Sequence, residues 1–190
     1  MKGFKYKKAI QALNHFATRE GSRMNKMKAL KLIWLSDRYH LRRYGRTITG
    51  DIYFALPFGP VASTTRDILE ENTSLSDLEL QYSNSFIEIN DKYNYSSKSA
   101  LEEKVFSKTD LEVLDIIYDT YNPLTQFELS ELSHKFPEWE KYKSLLDKGI
   151  ASRYGIDAND FFDNIDDGKG LFIDEEEFIS VSKEIFAQKK

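Results

Sequence analysis

An α+β domain dominated by helices, a single helical domain with short β-hairpins, is what the sequence predicts, on three observations. Apolar residues recur at three- and four-residue spacing through most of the chain. Several of these runs open on a capping residue and close on Gly or Pro. Alternating β-branched and aromatic residues are confined to a few short stretches, which leaves room for hairpins but not for a large sheet. No internal repeat or low-complexity linker interrupts the 190 residues, a length that buries one proper core, so residues 1–190 are expected to form one domain.

Taken in order, residues 4–19 place Ala9, Ile10, Leu13, Phe16 and Ala17 on one face with lysines opposite and Gly21 beyond the end, an amphipathic helix. Asn25 caps a second helix to about Arg43, stopped by Gly45; its run Met27, Leu30, Leu32, Ile33, Trp34 and Leu35 is apolar nearly all round, which predicts a central helix. The segment "RTITGDIYFAL" predicts a small hairpin or extended pair around Gly50-Asp51, and Pro60 in "FGPVASTTRDILEE" predicts the first turn of a third helix. Two alternating runs, "LELQY" and "FIEIN", joined by Ser83, Asn84 and Ser85, predict a second hairpin, followed by a polar loop, "DKYNYSSKSA". Ser107 with Asp110 opens a helix running to Asn122-Pro123, and Thr125 starts another that Pro137 ends. "EWEKYKSLL" and "DANDFFDNI" are short helical segments, and Asp174 is expected to cap a last helix whose acidic front and basic end suit the helix dipole.

Charge is divided along the chain: residues 1–50 hold 13 Lys/Arg against 2 Asp/Glu, and residues 51–190 hold 14 against 29. A basic front segment suits nucleic acid or an acidic protein surface, whereas the acidic remainder opposes general adhesion to nucleic acid; folded together, the two parts answer each other in part. With no cysteine, disulfide and thiolate chemistry are excluded, and a reducing cytoplasm fits best. The basic N-terminus lacks the apolar core of an export signal, and no apolar run approaches the roughly 18–20 residues that span a bilayer, so no membrane association is expected.

Catalytic and metal-binding patterns are absent. Asp163, Asp167 and Gly168 match calcium-loop positions 1, 5 and 6, but Ile165, Gly170 and Asp174 fail at positions 3, 8 and 12. His15, His40 and His134 lie in separate helices outside any metal-ligand spacing. Asp37, one turn before His40, suggests a local structural hydrogen bond between the two; Ser130 four residues before His134 supplies no oxyanion site. Neither "FGPV" nor "YGRTITGD" has phosphate-loop spacing. No metal, no cofactor and no enzymatic activity are expected. Arg38, Arg42, Arg43 and Arg46 cluster at the end of the second helix, a signal for an acidic or phosphate-bearing partner, though no helix-turn-helix pair is evident.

The stretch "DIYFALPFGPV" holds three rings and two prolines in a connector, rigid apolar surface that either roofs a core or meets a partner. It also closes a longer motif. "KALKLIWLSDRYHLRRYGRTITGDIYFALPFGPV" resembles the start of the Panacea antitoxin domain, also called SocA-like: a Leu-rich helix ending in Asp, an aromatic residue and His-Leu, then a Gly-Arg turn, "TGD", an aromatic strand and Gly-Pro-Val. The matching positions include Trp34, Asp37, Tyr39, His40, Gly45, Gly50, Asp51, Gly59, Pro60 and Val61; Thr47 departs where the family often has Pro. A second block, "LSELSHKFPEWEKY", is similar to the family's later signature at His134, Pro137 and Trp139, and the resemblance spans about residues 5–145, leaving 146–190 as a helical tail.

The resemblance implies an antitoxin of a bacterial or prophage type II toxin–antitoxin system, with a role in phage defence, neutralising a toxin encoded by an adjacent gene through direct protein–protein binding. A DNA-binding regulator of its own operon, or an adaptor delivering the toxin to a protease as the SocA member does, are the alternatives. Many relatives carry an added helix-turn-helix module, for which this sequence offers no segment. The motif residues are expected to be architectural. Arg38, Arg42, Arg43 and Arg46 are the candidate toxin contacts by charge, and Tyr53 and Phe58 by their rings. A homo-oligomer is left open.

Overall fold

A computed structural model describes residues 3–72 and 75–188. Its centre is α2 (Lys26–Tyr44), in which every residue from Lys28 to Arg42 is buried. Asn25 caps it by accepting the Lys28 N–H, and Gly45, at φ 62°, ends it in the left-handed conformation that glycine adopts without strain, where a Cβ would also overlap Ile185. Around α2 pack α1 (Tyr6–Arg19), α5 (Lys108–Tyr121), α6 (Gln126–Ser133) and, from the C-terminal tail, α9 (Glu176–Ala187). The expected caps are present at two of these: Ser107 with Asp110 and Thr125 with Glu128 form reciprocal capping boxes.

Two small antiparallel sheets flank the helices. One has the order β1-β5-β4, with β1 (Arg23–Asn25), β4 (Ile87–Ile89) and β5 (Asn94–Ser97); the other has the order β3-β2-β6, with β2 (Tyr53–Leu56), β3 (Gly59–Ala62) and β6 (Tyr154–Gly155). The α+β class with helices predominant is therefore correct, but five local expectations are overturned. The hairpin near "TGD" turns at Pro57-Phe58, not at Gly50-Asp51: residues 47–51 form a loop, because the Asp37 carboxylate draws in the N–H groups of Ile48 (2.7 Å) and Thr49 (3.0 Å). Pro60 lies in β3, an edge strand that tolerates a missing N–H, and α3 (Ser63–Leu69) begins after it. Asp51 takes the place of the cap, accepting from the backbone N–H of Thr64 (2.9 Å) and Thr65 (2.7 Å).

"LELQY" is not a strand. A Ser76–Glu79 capping box nucleates α4 (Asp77–Phe86), whose Leu80, Tyr82 and Phe86 pack toward the core, and Ser83 to Ser85 are helix interior rather than a turn. The real hairpin there joins β4, in the "FIEIN" run expected to be a strand, to β5, drawn from the stretch expected to be a loop. Pro137 ends no helix: α6 stops at Ser133, and Pro137 is the first residue of α7 (Pro137–Glu140), which is followed by α8 (Lys143–Asp147). Asp174 does not cap α9, whose N-cap is Glu175; the Asp174 carboxylate instead pairs with Arg42 at 2.8 Å and Arg43 at 2.9 Å.

The tail is tied to α2 by two buried arginines. Arg42, fully buried, donates to the carbonyls of Phe162 (2.5 Å), Asp163 (2.9 Å) and Phe172 (3.3 Å), to Asn164 Oδ1 (2.6 Å) and to Asp174. Arg38, also fully buried, pairs with Glu138 at 2.9 Å, donates to the Asp163 carbonyl at 2.7 Å and lies between the Phe136 and Phe172 rings. Burial drives the Glu138 carboxyl up, the Arg38 charge opposing it only in part. Arg42→Met should lower unfolding free energy by about 3–5 kcal/mol, since it leaves buried acceptors without a donor. Urea denaturation measures the loss, and hydrogen exchange in residues 161–174 should rise more than in α1.

Candidate partner-binding site

The four arginines read as one basic patch part company in the fold. Arg38 and Arg42 have no exposed surface, which corrects their assignment as surface contacts: they hold the tail. Arg43 remains partly exposed, its guanidinium over the rings of Tyr39 and Phe178, and Arg46 pairs with Asp110 at 2.8 Å. Asp110 also receives Lys8 and His40; burial pushes its carboxyl up, but hydrogen bonds from His40, Lys8 and Ser107 and the Arg46 charge outweigh it and hold the group below the carboxylate range. His40 therefore faces Thr109, Asp110 and the Arg46 carbonyl, not Asp37 as expected. Asp37 accepts from Ile48, Thr49 and the Tyr53 hydroxyl (2.8 Å), so Tyr53 is a core residue and not a surface anchor. Phe58 alone of the two rings is presented to solvent, 64% exposed.

What presents it is a set of side-chain donors beneath the hairpin. The Leu56 carbonyl accepts from Trp139 Nε1 at 2.7 Å, the Phe58 carbonyl from Ser130 Oγ at 2.9 Å, and the Pro60 carbonyl from Lys31 Nζ at 2.9 Å. The Pro57 carbonyl faces the His134 ring, which stacks on Trp139 at 3.8 Å between centroids. Burial, and then the Lys31 charge, push the His134 imidazole below its usual value; burial brings the Lys31 amine down to about 7. A turn that elsewhere would be solvated is thus bonded at nearly every carbonyl, and its exposed ring has a fixed base. Gly59 makes this approach possible: its φ is +99°, and a Cβ there would overlap Ser133 Oγ and Lys31 Nζ.

Beside the clamped turn opens a groove of about 1000 Å3 between the start of α2, the β2–β3 hairpin, the end of α3, the β4–β5 turn and the start of α6. Met27, Leu30, Val61, Leu69 and Ile89 line it, and Phe58, Tyr93 (62% exposed) and Phe127 (62%) stand among its walls. Lys31, Ser130, Tyr93 and Phe127 were not singled out in the sequence as contacts. For Lys31 a signal exists, a lysine inside the apolar run "ALKLIWL"; for the others only the fold assembles them.

Residues 30–140 match the family model described as the antitoxin SocA-like, Panacea domain. The chain belongs to this family. The comparisons with curated proteins and with solved structures returned no match. The Panacea match contains the whole hairpin clamp, from Lys31 through Gly59 and Pro60 to His134 and Trp139, while the acceptors that Arg42 ties down in the tail lie beyond it. Membership of an antitoxin-like family places the chain in toxin–antitoxin biology, with a toxin as the general class of partner. Among the described residues no helix is long and apolar enough to cross a membrane.

Two outcomes are expected at the clamp. Gly59→Ala should cost at least about 1–3 kcal/mol from the positive φ alone, measured by denaturant unfolding. For Lys31, the folded-state value near 7 lies below the unfolded 10.5, so the unfolded chain binds the extra proton in between. Its contribution makes stability rise with pH between about 7 and 10.5, by up to ~1.4 kcal/mol per unit, and Lys31→Met should flatten that rise.

Proposed function

We propose that this Panacea-domain protein is the antitoxin of a bacterial or prophage type II toxin–antitoxin pair, and that it neutralises its toxin by direct binding through the groove beside Phe58. The observation that carries this reading is the clamp: exposed aromatic surface on a turn whose carbonyls are already bonded costs little conformational entropy to bind, which is how interface anchors reach high affinity. Val61, Leu69 and Ile89 supply apolar walls of the kind an anchor from the partner fills. Binding, not catalysis, is the activity proposed, and the motif residues Trp34, Asp37, His40 and Trp139 serve the architecture that holds the turn. Of the arginines, Arg43 and Arg46 remain as peripheral contacts.

The regulator alternative draws less support, because two of the four arginines on which it rested are engaged inside the protein. The test is induction of the neighbouring gene with and without this protein, followed by copurification. Growth rescue with a stoichiometric complex is expected, and Phe58→Ala should weaken that complex at least tenfold, about 1.4 kcal/mol, with an unchanged melting temperature. Rescue accompanied by loss of the toxin from the cell and no stable complex would favour the protease adaptor instead.

A further inference from the structure

The charges around the groove do not cancel as they do elsewhere in the protein. Of the three acids on its walls, Glu70 is held by Arg66 at 2.7 Å, and Asp91 by Arg23 at 2.8 Å and by the N–H groups of Tyr93 and Asn94. That leaves Glu71 against Lys26 and Lys92, neither of which is in an ion pair among the described residues, although Glu71, Asp91 and Glu70 act on Lys26 at longer range; Lys31 is buried and already donates to the Pro60 carbonyl. Lys26 is the first residue of α2, whose first turn contains no acid, so the positive end of the central helix adds to its charge. Lys92 sits in the β4–β5 turn with its ammonium over the Tyr93 ring at 5.4 Å. In a chain with a net charge of −4, an apolar cleft whose walls hold two unbridged ammonium groups, Lys26 and Lys92, against one unbridged carboxylate, Glu71, is a local excess of positive charge.

Resting on the binding role given above, we propose that the groove accepts an acidic segment of the toxin, one that places an apolar or aromatic side chain among Phe58, Tyr93 and Phe127 and an Asp or Glu carboxylate against Lys26 and Lys92. The apolar anchor gives the complex its lifetime; the lysines steer encounter and reject basic segments. Through Lys26 the basic character of residues 1–50 reaches a partner although Arg38 and Arg42, further along α2, are spent inside the fold.

The experiment uses the full chain and the purified product of the neighbouring gene, with association rates recorded at 50 and 300 mM NaCl for the wild type, Lys26→Glu/Lys92→Glu and Phe58→Ala. Neither lysine is in the core, and unchanged melting temperatures establish that the variants fold. The wild-type association rate is expected to fall by about tenfold with salt, the double charge reversal to show a similarly slow rate at low salt and little salt dependence, and Phe58→Ala to act on dissociation. Reversing an Asp or Glu of the toxin to Lys should restore the fast rate of the double variant. A complex whose rate ignores the charge reversal while Phe58→Ala weakens it overturns the acidic-segment proposal and leaves the antitoxin role standing. A complex indifferent to both sets of changes overturns the groove as the site, as does a homodimer that Phe58→Ala dissolves. Absence of any complex overturns neutralisation by direct binding, and with it the groove proposal.

Discussion

A helix buried on every side must find partners inside the protein for each polar group it carries, and α2 carries many. Lys28, Lys31, Asp37, Arg38, His40 and Arg42 are all buried, and an unpaired charge at any of these positions would cost more than the fold could supply. Each of them brings a different part of the chain to the helix. Lys28 takes Glu20 and Asn122, Lys31 the β2–β3 turn, Asp37 the "TIT" loop and Tyr53, Arg38 the start of α7, His40 the start of α5, and Arg42 the tail. The architecture follows from satisfying that single helix.

The same requirement accounts for the division of charge along the sequence. Much of the basic surplus of the first fifty residues faces acids of the remainder: Lys8 and Arg46 on Asp110, Arg19 on Asp115 and Asp119, Arg38 on Glu138, Arg42 and Arg43 on Asp174. Surface pairs such as Arg19 with Asp119 contribute little to stability, whereas the buried ones specify which segment docks where. The pattern that looks, in sequence, like a basic patch awaiting an external partner is largely an internal device.

The candidate site is a consequence of this scaffold. Lys31 lies in the second turn of α2, Ser130 and His134 at the end of α6, and Trp139 on α7, and all converge on residues 56–60 at the β2–β3 turn. Its rigidity is inherited from a core helix on one side and a stacked His134–Trp139 pair on the other. A toxin meeting Phe58 would meet a surface already ordered, and this connects a buried, structural set of motif residues to a binding role without any of them touching the partner.

Much of the scaffold was legible in the amino-acid sequence: the amphipathic and all-apolar helices, the Asn25, Ser107 and Thr125 caps, the Gly45 stop, the helix-dominated class and the family signature are written in local residue patterns, and local hydrogen bonding is enough to realise them. The Ser76–Glu79 capping box was equally present in the sequence and outranks the alternation that suggested strands. What only the tertiary structure decided is where each polar side chain spends its hydrogen bonds. Arg38 and Arg42 lie one turn apart on α2, Arg43 is a single residue further on and Arg46 just past the helix, yet the first two are buried and the others reach solvent. Position around a helix sets that difference only once neighbours cover it, and those neighbours, Glu138, Phe172 and Asp174, arrive from about a hundred residues away or more.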